Sequence, residues 1–151
     1  MLSSEPSPAF VQMVRSPSEL FSYPDSSIFR SLSDDRIKAD KPLARELGCQ
    51  VGDEWVQISG LRTFGEEGMP ICLADVYVIP EYGSIAQRLG ASSRPVYEMI
   101  AETFKESIEN ITIRLTAGVL SVRKAAVLGF EPGAPSLSVT RFYEGRGGRT
   151  F

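Results

Sequence analysis

Between Glu54 and Phe64 the chain alternates well enough for a strand, with Trp55, Gln57, Ser59 and Leu61 on one side and Val56, Ile58, Gly60 and Arg62 on the other. This period of two predicts a strand. Gly65-Glu66-Glu67-Gly68 is turn chemistry, and Pro70 to Ile79 reads as the returning strand, so the two form an antiparallel hairpin. After Pro80 the period changes: Ile85 and Leu89 suggest a short helical turn closed by Gly90. Val96, Met99, Ile100 and Phe104 then recur at helical spacing and predict an amphipathic helix lying against the sheet, its Met and Phe read as core.

Shorter signals flank this centre. A strand is expected through Ile28, Phe29 and Leu32. Asp40-Lys41-Pro42 opens a short helix with Leu43 and Leu47 on one face and Gly48 as its stop. Ile111, Ile113 and Leu115 alternate as a strand, and Val122 to Leu128 is a helix ended by Gly129. Leu137, Val139 and Arg141 begin a last strand toward the turn Glu144-Gly145-Arg146-Gly147-Gly148. Ser16-Pro17-Ser18-Glu19 predicts a helix through Leu20 and Phe21 that ends near Pro24. Residues 1–11 are rich in Ser and Pro and read as a linker or arm.

Two of these stretches are copies of one another. ARELGCQVGDEWVQISGLRTFGEEG lies over RKAAVLGFEPGAPSLSVTRFYEGRG, with Leu47-Gly48 matching Leu128-Gly129 at an offset of 81 (128 − 47 = 81). Gly52 matches Gly133, Val56 matches Leu137, Ile58 matches Val139 and Leu61 matches Phe142. The unit is a helix, a Leu-Gly stop, a Gly-bearing turn and a long strand entering a hairpin. Each copy is expected to feed a strand pair into one antiparallel sheet, with a cleft between or beneath the halves. The second unit's return strand is expected to lie beyond Phe151.

Composition narrows the chemistry. A chain of 151 residues, 42% hydrophobic and 23% charged, suits one globular domain. The net charge of −3 and the pI near 5.1 give phosphate backbones no electrostatic footprint. Cys49 and Cys72 fit no metal-ligand spacing, and the absence of histidine removes the usual Ser-His-Asp and Cys-His nucleophiles. No metal and no cofactor is expected. Without a secretory segment or a long apolar span, a cytoplasmic protein away from membranes is the expectation.

The strings LARELGCQVGDEWVQISGLRTFGEEGMPICLADVYVIP, SRPVYEMIAE and RKAAVLGFEPGAPSLSVTRFYEGRGGR together resemble the UTRA domain of GntR-type regulators of the HutC subfamily, over residues 12–151. The resemblance implies an α+β, chorismate-lyase-like fold: a mainly antiparallel sheet with peripheral helices, usually dimeric. It implies a small-molecule effector as partner and a homodimer. Operator DNA would be bound only through a winged helix-turn-helix absent from this chain. In the family an effector is often read by an Arg-x-Arg pair on the first hairpin strand, an acidic residue on the return strand and a Ser at the long helix start. Here Arg62 fits the second arginine, but Gly60 stands at the first, Ala74 at the acidic place with Asp75 beside it, and Pro95 at the Ser. These departures disfavour a sugar phosphate and suggest a small, less polar mouth at Gly60 and Ala74.

The candidate ligand contacts are Arg62, Asp75, Tyr77, Arg114 and Arg141. Each has a plainer alternative. Arg62 and Asp75 could pair across the hairpin, Tyr77 could be core, Arg114 and Arg141 could be solvated, and Glu98 most simply complements a helix dipole. A chorismate-lyase-like enzyme and a ligand-free dimerisation module are the competing functions; fold analogy alone grants no activity.

Overall fold

A computed structural model describes residues 27–64, 68, 70–89 and 91–151. The expected linker at residues 1–11, the helix near Leu20 and most of the turn after Phe64 lie outside the described residues. Strand β1 (Ser27–Lys38) leads into helix α1 (Lys41–Leu47), followed by β2 (Glu54–Phe64) and β3 (Pro70–Val78). A 3-10 turn (Pro80–Ile85) passes into α2 (Ala86–Leu89), short strand β4 (Ala91–Ser92) and α3 (Val96–Phe104). The second unit is β5 (Asn110–Val119), α4 (Val122–Leu128) and β6 (Pro135–Glu144), closed by a 3-10 turn (Arg146–Gly148).

The duplication is structural down to single hydrogen bonds. Ile37 faces Trp55 across β1–β2, and Gly118 faces Ser136 across β5–β6, the same register displaced by 81 residues. In the first unit the amide of Gly52 donates to the carbonyl of Ala39 and that of Cys49 to Ala44; in the second, Gly133 donates to Leu120 and Phe130 to Ala125. Asp40 caps α1 by accepting from the Leu43 amide, and Ser121 caps α4 by accepting from Lys124. Gly48 and Gly129 both end their helices in the left-handed region, at φ 70° and 75°, where a side chain would be strained.

The two units do not join one sheet as expected. Among the described residues, β3-β2-β1-β4 form a four-stranded antiparallel sheet and β5-β6 a separate two-stranded one. The difference is one of edges: β2 has β1 on one side and β3 on the other, whereas β6 is paired along its length only with β5. The core therefore centres on the first unit, where Phe29, Val56, Ile58 and Val78 pack with Ile85, Leu89 and Ile100 from the helical segment. Gly83 lies so close to Val56 that a Cβ there would press on its methyl, which places the 3-10 turn over that side of β2. Tyr82 stacks on Phe104 at 4.5 Å and meets buried Phe151 edge-on at 5.7 Å, fastening the end of the second unit to the first.

Candidate functional site

Strand β2 presents two chemically different sides. Val56, Ile58, Gly60 and Arg62 are all buried; on the other side Trp55 and Thr63 are buried and Gln57, Ser59 and Leu61 between them are partly covered. Register puts Arg62 opposite Cys72 and Asp75 opposite Ser59. The cross-strand Arg62–Asp75 pair weighed from the sequence is thus corrected: successive side chains in a strand point to opposite faces, and these two residues lie on opposite ones.

On the buried side Arg62 is 3% exposed, its Nη1 donating to Ser27 Oγ at 3.0 Å and its guanidinium 5.9 Å from the Phe29 ring centroid. Ser27 is itself fully buried. A charge removed from water this completely is costly and is held only by partners such as these. The open mouth expected at Gly60 is not there: the Phe29 ring lies across Gly60, and a Cβ at that position would overlap it. A glycine within a strand signals close approach; what crosses it here is the ring of the neighbouring strand.

Opposite Phe29 on the far side of β1 stands Ser92 of β4, whose hydroxyl donates to Met99 Sδ and accepts from the Arg94 amide. Ser92 thus ties the sheet to the start of α3. There Tyr97 stacks on Tyr143 of β6 at 4.9 Å and donates to Glu98. Burial, then the bond to Glu98, holds the Tyr97 phenol above its ordinary pKa, and nearby Arg141 opposes this. Arg141 and Tyr143 share a side of β6, so α3 meets that side of the second unit through Tyr97 and the four-stranded sheet through Met99 on Ser92.

The other face of β2–β3 carries a separate polar cluster. Ser59 Oγ donates to Asp75, and Gln57 Nε2 donates to Asp75 Oδ1 and to the Tyr77 hydroxyl, both at 3.3 Å. Burial first, then the charges of Asp75 and Glu46, push the Tyr77 pKa up to about 12. Arg114 lies elsewhere again, exposed on the polar side of β5 with its guanidinium 5.2 Å from the Phe142 ring centroid.

The five sequence candidates are thus distributed over several surfaces. Asp75 and Tyr77 come together; Arg62 is buried on the other face of β2 beside Ser27 and Phe29; Arg141 lies near Tyr97 at the start of α3; Arg114 stands apart. Ser27, Phe29, Ser92, Tyr97 and Tyr143 were not foreseen as site residues, and of these only Phe29 had a signal, the glycine it covers. Among the hollows formed by described residues, one of about 270 Å³ lies beside Lys105, Glu106, Arg146 and Arg149 and another of about 180 Å³ beside Arg36, Trp55 and Pro80. None of the five candidates lines either. Among the described residues no group of three His, Cys, Asp or Glu side chains could hold a metal, and no helix is long and apolar enough to cross a membrane.

This architecture is that of the ligand-binding domains of GntR-family transcription regulators. A ligand-binding domain assigned to that family from Bordetella bronchiseptica superposes with a TM-score of 0.69 at 26% identity, over 85% of this chain and 83% of that one. PhnF from Mycobacterium smegmatis gives 0.69 at 17% identity over 83% of this chain, which spans 54% of that longer protein. A GntR-family regulator from Bacillus cereus gives 0.65 at 18% identity, over 83% and 86% of the two chains. At the identities of the last two, the likeness is one of fold. The family model of the UTRA domain matches residues 26–151, and the chain belongs to the UTRA family. No curated protein matches it.

Proposed function

We propose that this chain is the effector-binding part of a bacterial transcription regulator of the HutC subfamily, with a chorismate-lyase-like fold. It works in the cytoplasm as a homodimer and controls a DNA-binding head carried outside this sequence. It binds a small molecule and does not transform it. The observation that carries this reading is the match of the UTRA family over residues 26–151, on a fold shared with regulator ligand-binding domains.

Within that reading the effector lies along α3, between Arg62 of the first unit and Arg141 of the second. Asp75 and Tyr77 form a secondary polar patch on the opposite face of the hairpin, and Arg114 is a peripheral contact. With Gly60 in place of a second arginine and Phe29 covering it, β2 offers the single guanidinium of Arg62, which an effector reaches only by displacing its contacts with Ser27 and Phe29. The effector accordingly carries one anionic group and an apolar body, not a sugar phosphate.

The test is thermal unfolding of the chain across a metabolite library containing carboxylates and phosphorylated sugars. A cognate ligand at a hundred times its Kd adds about 2.7 kcal/mol of stability. Arg62→Met is expected to weaken that ligand by about tenfold or more, since a hydrogen bond to a charged group contributes roughly 1.5–3 kcal/mol. No stabilisation by any metabolite would overturn the sensor reading, and tight binding of a sugar phosphate would overturn the effector class.

A further inference from the structure

At its C-terminal end α3 departs from the other capped helices. α1 and α4 stop on Gly48 and Gly129 in the left-handed region, whereas α3 stops on Lys105 at φ 56°. Among the described residues Lys105 is the one residue other than glycine with a positive φ. Glycine adopts that conformation freely, while a lysine is strained in it. The strain falls where Lys105 joins Glu106, Gly145, Arg146, Arg149 and Phe151 in lining the hollow of about 270 Å³. None of these residues belongs to the effector position proposed above, which Tyr97 marks about 12 Å away along the helix axis.

The hollow is built from two segments. One wall is the chain just after α3 and the other is the turn after β6. Gly145 lets them close on one another, since a Cβ there would overlap the Glu106 carboxylate. Glu106 accepts from the Tyr82 hydroxyl and from the amides of Ser107 and Arg146, so its charge is fixed in place. Arg146 Nε donates to Ser107 Oγ at 3.2 Å, which orients the guanidinium and leaves its two terminal nitrogens without a hydrogen-bond partner among the described residues. Arg149 spends one terminal nitrogen on Glu81, at 2.8 Å. Lys105 is in no ion pair among the described residues, and Glu102, whose charge it feels, is held by Arg94 at 2.8 Å.

Three cations and one carboxylate thus line the hollow, leaving two positive charges in excess. A compact group of high charge would bring that charge beside Glu106. An elongated molecule with an anionic group at each end spreads it, and planar carboxylates match the fork of an arginine. The ring of Phe151 offers the carbon chain between them an apolar wall. We propose that this hollow is a second ligand site, separate from the effector position, and that it takes a small aliphatic dicarboxylate. One carboxylate lies against Arg146 and Arg149, the other against Lys105. Because the walls belong to the end of α3 and to the β6 turn, a bound dicarboxylate ties the second unit to the helical segment.

Calorimetric titration of the whole chain with succinate tests this at low ionic strength, where exposed charges are least screened. Succinate is expected to bind saturably and succinamide, uncharged at both ends, to give no heat. Monomethyl succinate, which keeps one carboxylate, should bind about tenfold more weakly or worse, and Arg146→Gln should weaken succinate by a similar factor. Lys105→Gly separates binding from folding: it removes the ammonium but relieves the left-handed backbone, so succinate weakens without a fall in Tm. The amide resonances of Gly145, Gly147 and Gly148 should shift during the titration. No saturation by about 10 mM, equal binding of the monoester, or unchanged affinity in either variant would overturn the proposal. So would a loss of succinate binding in Arg62→Met as large as in Arg146→Gln, because the dicarboxylate would then belong to the effector position. Stabilisation by another metabolite that Arg62→Met removes and Arg146→Gln does not reports separately on the sensor reading.

Discussion

Arg62 and Gly60 show how much one alternating strand decides. Two residues apart on one face, they set a buried cation and a gap that the Phe29 ring occupies. Gly60→Ala is expected to destabilise the chain by about 1–3 kcal/mol, because the added methyl must displace that ring in a packed core. Urea unfolding would measure this, and Phe29→Leu in the same chain should restore part of the loss. Tyr77 yields a prediction of opposite character. Its phenol is pushed to about 12 in the folded chain, above the ordinary 10, so the folded state holds its proton longer than the unfolded one. The stability this gives is fully present below pH 10 and is lost as pH rises toward 12. Tyr82 and Tyr97 are raised too and act in the same direction. Tyr77→Phe should flatten the alkaline fall in unfolding free energy between pH 10 and 12, measured against the unaltered chain.

At the scale of the element, most boundaries were legible because they depend on local chemistry. Asp40 before Lys41-Pro42, Gly48 after Leu47, and their equivalents Ser121 and Gly129 act within one turn of backbone. Asp40→Ala is expected to cost about 1 kcal/mol in urea unfolding, and Ser121→Ala less, because its hydroxyl accepts from the Lys124 amide at 3.4 Å against 2.9 Å for the Asp40 bond. The two losses should add, as the caps belong to separate units. Where expectation fell short, long-range pairing was responsible. β1 continues through Ser33, Asp34, Asp35 and Arg36, a polar run with no strand signal, because β2 offers it a full ladder of partners. β5 likewise runs on to Val119 because β6 extends opposite it to Pro135. The candidate site was less legible for the same reason: alternation correctly separates the faces of β2, but nothing local tells that Phe29 fills the space above Gly60 or that Tyr97 meets Tyr143.

Across the whole molecule the units are linked by α4, which lies against β3, and through the helical segment. Phe151 is buried against Tyr82, which stacks on Phe104 and donates to Glu106, whose carboxyl is held below its usual range chiefly by that bond. Phe151→Ala should therefore destabilise the chain by about 3 kcal/mol or more, the usual cost of deleting a buried ring, with a matching fall in Tm. Exchange protection should drop first in β6, whose Tyr143 carbonyl accepts from the Phe151 amide.

From its residues alone this chain specifies two helix-and-hairpin units with the same caps, glycine turns and strand period, and hence an α+β fold without histidine-based chemistry. Those features are written locally, where a side chain acts on backbone a few positions away. Tertiary structure alone decides that the copies build two sheets and that Arg62 is enclosed while its repeat equivalent Tyr143 stacks on α3. Burial depends on which distant segments arrive at a face, and two nearly identical local patterns can meet different neighbours.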